Sequence, residues 1–211
     1  MLRWSHMLAG LAALGATGCV GQLLETNPPK PRYLVGAVSG DALAGPTVDW
    51  SLMIENPGAS RAYDTTKIAV SPTPGRIEYF SAGEWAGRAP VVFQMALIQS
   101  FEDSGRILAV GNRADIALAD FALQSDLRRI DLDVSGSKRD AVLSVYARLT
   151  DGRAKVYAAK GFEARQPAAS LSGDDVAAAF DAAFETVIRD IAEWTFEAGA
   201  AANIAESPGG S

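Results

Sequence analysis

Over residues 47–55, Val48, Trp50, Leu52 and Ile54 alternate with Asp49, Ser51, Met53 and Glu55. That two-residue period belongs to a half-buried strand, and Asn56-Pro57-Gly58 ends it as a turn. Similar runs predict strands over 32–38, 67–71, 76–80, 106–110, 116–133, 141–149 and 156–163. Pro72-Thr73-Pro74-Gly75 separates the third and fourth of these strands, and Asp151-Gly152-Arg153 makes the last two a hairpin.

Two segments change to a helical period. Residues 90–104 open on a proline, which suits a first turn, carry Val91, Phe93, Met95, Leu97, Ile98 and Phe101, and stop at Gly105. This broad stripe predicts a well-buried helix. Residues 173–197 place Val176, Phe180, Phe184, Val187, Ile191 and Trp194 at steps of four and three, with Asp181, Glu185, Arg189, Asp190 and Glu193 opposite. Ser172 and Asp175 stand at the spacing of a capping box. The order predicts an α+β fold, a mostly antiparallel sheet with two main helices packed on one face. One domain over residues 32–197 suits the length, followed by a flexible tail over 198–211.

The N-terminus follows another logic. Arg3 precedes an apolar core over residues 7–16, and Leu14-Gly15-Ala16-Thr17-Gly18-Cys19 ends it in small residues and the only cysteine. The apolar run is shorter than the ~20 residues a membrane-crossing helix needs. The pattern predicts a signal peptide over residues 1–18 and a diacylglycerol thioether on Cys19, with palmitate among the acyl groups. Ala16, where the bacterial lipobox prefers Leu, is a tolerated residue. Residues 19–31 then form a tether ending in Asn27-Pro28-Pro29-Lys30-Pro31, stiff and extended. Val20 after the cysteine is not the Asp-type inner-membrane retention signal, which favours the outer membrane over the inner and places the domain on the periplasmic side.

Composition narrows the chemistry. Removing Arg3 from the 19 Lys and Arg leaves 18 against 25 Asp and Glu, a formal charge of −7. Lys and Arg do not cluster, so nucleic acid is a poor partner. The only histidine, His6, leaves with the leader, and Cys19 is acylated. A mature domain without imidazole or free thiol has no Ser-His-Asp or Cys-His device and no zinc site built on them. We therefore assign no catalytic, cofactor-binding or metal-binding residue. Two carboxylates could still do acid-base work on a glycan, from Glu78 or Glu84 with Asp64, or from Asp126, Asp131 and Asp133. Acidic residues alternating along a strand are more simply its solvated face. The glycine-rich stretch over 36–45 lacks both the Lys-Ser/Thr ending and the GxGxxG spacing of a phosphate loop.

Several pieces in order carry a family resemblance: Tyr33-Leu34 after the proline tether, Ile68-Ala69-Val70-Ser71-Pro72, Arg76-Ile77-Glu78-Tyr79-Phe80, Glu84-Trp85, and a helix with Leu97 and Phe101. Ala114-Asp115-Ile116-Ala117-Leu118 then leads into Leu123-Gln124-Ser125-Asp126-Leu127, and the closing helix runs from Val176 through Trp194. With Cys19 in front, the chain resembles the ABC-type transport auxiliary lipoproteins that accompany MCE-type and Pqi lipid transport systems. The segment Ser81-Ala82-Gly83-Glu84 is shorter than the family usually has there.

The resemblance implies a non-enzymatic accessory of an MCE-domain protein and its ABC permease/ATPase complex, with phospholipid or another hydrophobic molecule as cargo; the sequence leaves a homo-oligomer open. It leaves Trp85 as a core aromatic or a partner contact. Phe93, Phe101, Phe180 and Phe184 either fill a core or line a lipid tunnel. A structural or assembly lipoprotein of another envelope complex is the alternative from a different class.

Overall fold

The computed structural model describes residues 29–151, 153 and 155–206. The elements are β1 (Arg32–Tyr33), β2 (Ser51–Ile54), β3 (Gly58–Ala59), β4 (Lys67–Thr73), β5 (Arg76–Trp85), α1 (Ala89–Ser104), β6 (Ala109–Gly111), β7 (Phe121–Asp133), β8 (Asp140–Thr150), β9 (Val156–Pro167) and α2 (Gly173–Glu206). They form the expected α+β fold, one nine-stranded sheet whose long pairings are antiparallel, with both helices on one face.

The spine of the sheet is β7. On one side lie β8 and then β9, both antiparallel. On the other side β7 takes three short parallel partners end to end: β2 at Phe121 to Leu123, β3 at Asp126 and Leu127, and β4 at Asp131 to Asp133. The β4–β5 hairpin turns at Pro74-Gly75, where Gly75 has φ 81°, a value that favours glycine. Leu123, Leu127, Ile130 and Leu132 of β7 join Leu143, Val145 and Leu149 of β8 beneath the helices, all at most 3% exposed. Against them α2 buries Val176, Phe180, Phe184, Val187 and Ile191, and α1 buries Phe93, Leu97 and Phe101. At ~1.5–3 kcal/mol for each large apolar side chain removed from water, this layer dominates stability.

Several boundaries differ from expectation. The strand predicted over 32–38 stops at Tyr33, because the Gly36 N–H donates to Asp181 Oδ1 (3.2 Å) and the Val38 N–H to Ser100 Oγ (2.9 Å), so helix side chains replace a ladder. The strand predicted from residue 116 begins at Phe121. Before it the Ala114 N–H donates to Asn112 Oδ1 (2.7 Å) in an Asx turn, and Leu118 is 91% exposed. The α1 stripe is narrower than predicted, since Val91 and Met95 face solvent. The last helix runs past 197 to Glu206, so residues 198–206 are helical rather than tail. Alanine-rich sequence favours that extension, and Gly199 fits because a Cβ there would lie 2.5 Å from Trp50. Residues 207–211 fall outside the described residues.

Helix ends follow local chemistry. Gly105 closes α1 in the left-handed region at φ 60°. At the start of α2 the Asp175 N–H donates to Ser172 Oγ at 3.2 Å. The Asp175 carboxylate accepts from the Ser170 hydroxyl and the Ser172 N–H donates to Ser170 Oγ, so half of the capping box forms.

Candidate functional site

One β-bulge decides which side chains meet. Pairing of β7 with β8 slips between Leu127 and Arg129, leaving Arg128 as an extra residue. A bulge reverses the alternation of the strand it interrupts. Before it, odd-numbered Leu123 and Leu127 face the helices; after it, even-numbered Ile130 and Leu132 do. Arg129, Asp131 and Asp133 therefore point to the face without helices, opposite Ser144, Val142 and Asp140 of β8.

That face is not open over its whole length. Tyr63, Ser71 of β4 and the hairpin tip at Pro74, Gly75 and Ile77 overhang it. Lys138 and Ser135 from the β7–β8 turn and Arg165 of β9 close the other side around a pocket of about 740 Å³. Under this rim Asp131 is 1% and Asp133 6% exposed, unusual for carboxylates.

Arg129 pairs with both buried carboxylates, although Asp131 Oδ1 accepts no well-aligned hydrogen bond among the described residues. Arg129 Nη2 lies 2.9 Å from Asp131 Oδ1 and 3.4 Å from Asp133 Oδ2. Arg129 Nε donates to Asp131 Oδ2 at 3.2 Å, and the Tyr63 hydroxyl donates to the same oxygen at 3.1 Å. Asp133 Oδ1 accepts from the Ser135 hydroxyl (2.6 Å) and N–H (3.1 Å), while Oδ2 faces Lys138 at 4.0 Å and Arg165 at 3.6 Å.

Electrostatics follow from these contacts. The Ser135 hydroxyl, the Ser135 N–H and Arg129 hold Asp133 down at about 2 despite burial. Burial, then the charge and hydrogen bond of Asp131, push Tyr63 up to about 12. Burial alone would lower the Arg129 guanidinium, but the bonds and charges of Asp131 and Asp133 outweigh it and raise it.

The other carboxylates singled out in the sequence lie apart from this pocket and are ion-paired singly. Glu78 pairs with Arg76 (2.5 Å), Glu84 with Lys30 (3.9 Å), and Asp64 accepts from Arg88 Nε (2.8 Å). Asp126 pairs with Arg148 at 3.0 Å. Beside it Arg128 and Arg148 lie over the Tyr146 ring at 4.2 and 4.9 Å. Among the described residues no group of three or more His, Cys, Asp or Glu side chains is placed to hold a metal ion.

Trp85 is a core residue at 2% exposure. Its ring meets Phe180 (5.0 Å) and Phe184 (5.8 Å) edge to face. Phe93, Phe101, Phe180 and Phe184 are likewise packed core. Cys19 lies outside the described residues. Sequence reading missed Arg129, Tyr63, Lys138 and Arg165. The adjacent polar pair Arg128-Arg129, which breaks the alternation, was the available signal.

Known proteins share this architecture. The crystal structure of protein XCC0632 from Xanthomonas campestris, of family DUF330, matches with a TM-score of 0.76 and 30% identity over 83% of this chain and 99% of that one. The hypothetical protein CT253 of Chlamydia trachomatis shares the fold at a TM-score of 0.51 and 12% identity, over 73% of this chain and 99% of that one. An uncharacterized protein of Bradyrhizobium diazoefficiens is 28% identical over 192 residues, 90% of this chain and 49% of that protein, so the chain spans about half the length of this curated relative. A family model matches residues 34–192, from the end of β1 through most of α2, and the chain thus belongs to the family of ABC-type transport auxiliary lipoprotein components.

Proposed function

We propose that the chain is a non-enzymatic accessory lipoprotein of an MCE/ABC-type lipid transport system. In this reading Cys19 carries the lipid anchor on the periplasmic side, the outer membrane being favoured. The domain docks on an MCE-domain protein or the ABC permease/ATPase complex while phospholipid crosses the periplasm. The observation that carries the reading is the family match over residues 34–192, which takes in the sheet from β2 to β9, α1 and most of α2.

Two features of the structure support it. The pocket's most displaced groups move away from neutrality, Asp133 to about 2 and Tyr63 to about 12. A general acid or base works best with a value near the working pH, so this pair suits binding better than proton transfer. The tether also enters at a fixed point. The Tyr33 hydroxyl donates to Asp174 Oδ1 (3.2 Å), and a Cβ would lie 2.4 Å from its ring at Gly83 and 2.3 Å from its hydroxyl at Gly173. A lipid anchor joined to a rigid domain through a short spacer raises its effective concentration near a membrane-bound partner, so each contact can be weak.

Affinity purification from detergent-solubilised membranes tests this reading. An MCE-domain protein and ABC components should co-purify, and deletion of the gene should raise detergent sensitivity. Recovery of neither partner, with unchanged sensitivity, would end it. Cys19→Ser should release the protein from membranes.

A further inference from the structure

We propose that the pocket between the β4–β5 hairpin tip and the β7–β8 turn binds a zwitterionic phosphate ester, with the phosphate on Lys138 and Arg165 and the ammonium on Asp140. The charges in the pocket are layered. The cationic side chains Arg129, Lys138 and Arg165 are 29%, 55% and 44% exposed, against 2% and 9% for Asp131 and Asp133. An entering molecule meets the cations first, because the carboxylates lie beneath them. Three cations also converge on one oxygen, Asp133 Oδ2, at 3.4, 4.0 and 3.6 Å. Lys138 Nζ makes only that long contact among the described residues, so its three N–H groups are available at the mouth. Arg165 Nε donates to Glu163 Oε1 at 2.9 Å, which leaves its two Nη groups for a ligand, and an ammonium beside a guanidinium, both half-exposed, is a donor set for phosphate oxygens.

A plain anion would leave one feature unanswered. Asp140 lines the pocket directly opposite Asp133 in the β7–β8 register. Like charges facing each other across strands are destabilising, and Asp140 has no cation partner among the described residues. An ammonium at that point removes the repulsion, as a phosphate cannot. Both charges on one small molecule fit a pocket of about 740 Å³, whose lip at Pro74 and Ile77 offers apolar contact to the carbon part of the ester. That the ester is a phospholipid headgroup rests on the transport reading; the charge pairing does not.

The test uses the full chain purified in non-ionic detergent, titrated by calorimetry with glycerophosphoethanolamine, glycerol 3-phosphate, ethanolamine and inorganic phosphate. The zwitterion should bind about tenfold tighter than either half, and Lys138→Ala should weaken it by about tenfold, the scale of one charge-assisted contact. Asp140→Asn should abolish the preference for the zwitterion over glycerol 3-phosphate. Both side chains reach solvent, and unchanged urea midpoints show that the variants fold. No saturable binding, equal binding of zwitterion and inorganic phosphate, or a preference that survives Asp140→Asn overturns the proposal.

Micelles carrying phosphatidylethanolamine distinguish the source. Competition with the soluble ester identifies a lipid headgroup, and its absence identifies a free ester. Ester binding without co-purified transport components, and with detergent sensitivity unchanged by deletion, sinks the transport reading and leaves the pocket standing. The reverse result sinks the pocket alone.

Discussion

Among the described residues Arg129 is the one cation that touches both buried carboxylates, and replacing it with methionine removes the charge while keeping most of the stem. Deleting one partner of a buried ion pair costs about 3–5 kcal/mol, because the remaining charge stays desolvated. Two features reduce that figure here. Asp133 keeps Lys138 at 4.0 Å, Arg165 at 3.6 Å and both bonds from Ser135. Arg129 itself is 29% exposed, so water already screens part of its charge. Asp131 has no such substitute, since among the described residues only the Tyr63 hydroxyl at 3.1 Å remains on it. We expect a loss of about 2–3 kcal/mol. With a urea slope of about 2 kcal/mol per molar, the unfolding midpoint falls by about 1–1.5 M. Tryptophan fluorescence reports the transition, because Trp50 and Trp85 are buried. The double variant Arg129→Met/Asp131→Asn should recover at least half of the loss, since the amide still accepts from Tyr63 without a charge to neutralise. A single variant less than about 0.5 kcal/mol weaker than the parent, or a double variant as weak as the single, would refute the view that Arg129 offsets a buried charge.

Three further outcomes are expected. Asp133 is held at about 2 in the folded protein against an ordinary 3.8; its depressed value stabilises the fold above the unfolded value, and the contribution disappears as pH falls from near 4 towards 2. That amounts to about 2 kcal/mol, and urea midpoints at pH 6 and pH 2.5 should show a flatter pH dependence in Asp133→Asn than in the parent. Gly40→Ala should cost about 1–3 kcal/mol or more in thermal or urea unfolding, because its Cβ would lie 1.9 Å from the Asp103 carbonyl oxygen. Gly161→Ala, whose Cβ would sit 3.9 Å from Tyr146, serves as the mild control. Trp85→Ala should lose about 3–5 kcal/mol as a core truncation, whereas Trp85→Phe, if folded, should capture the same partners as the parent. Selective loss of partners in folded Trp85→Phe would show a docking role that its burial does not predict.

How far the sequence could be read depended on the range of the interaction. The Gly105 stop, the stripe of α2 and the β8–β9 hairpin were legible because each rests on residues within a few positions of one another. Residues 198–206 were misread since their alanines carry no stripe, and Trp50, nearly 150 positions away, supplies the surface against which Gly199 packs. Among the strands, β3 was missed: it pairs with β7 over two residues, too few for a period to show, whereas β2 and β4 lie in the runs read over 47–55 and 67–71.

The sequence alone determined the apolar stripe of α2, the alternation over 47–55, and the absence of histidine and cysteine from residues 32–197. It also placed Asp131 and Asp133 on one strand face, since residues two apart share a side. Only the tertiary structure decided that this face is covered. The Arg128 bulge turns it away from the helices, β4 brings the hairpin tip over it by pairing at Asp131 to Asp133, and β9 delivers Arg165 to its rim. A strand's period fixes which side chains share a face, but long-range pairing decides what lies above them, and that cover turns solvated carboxylates into a buried charged pocket.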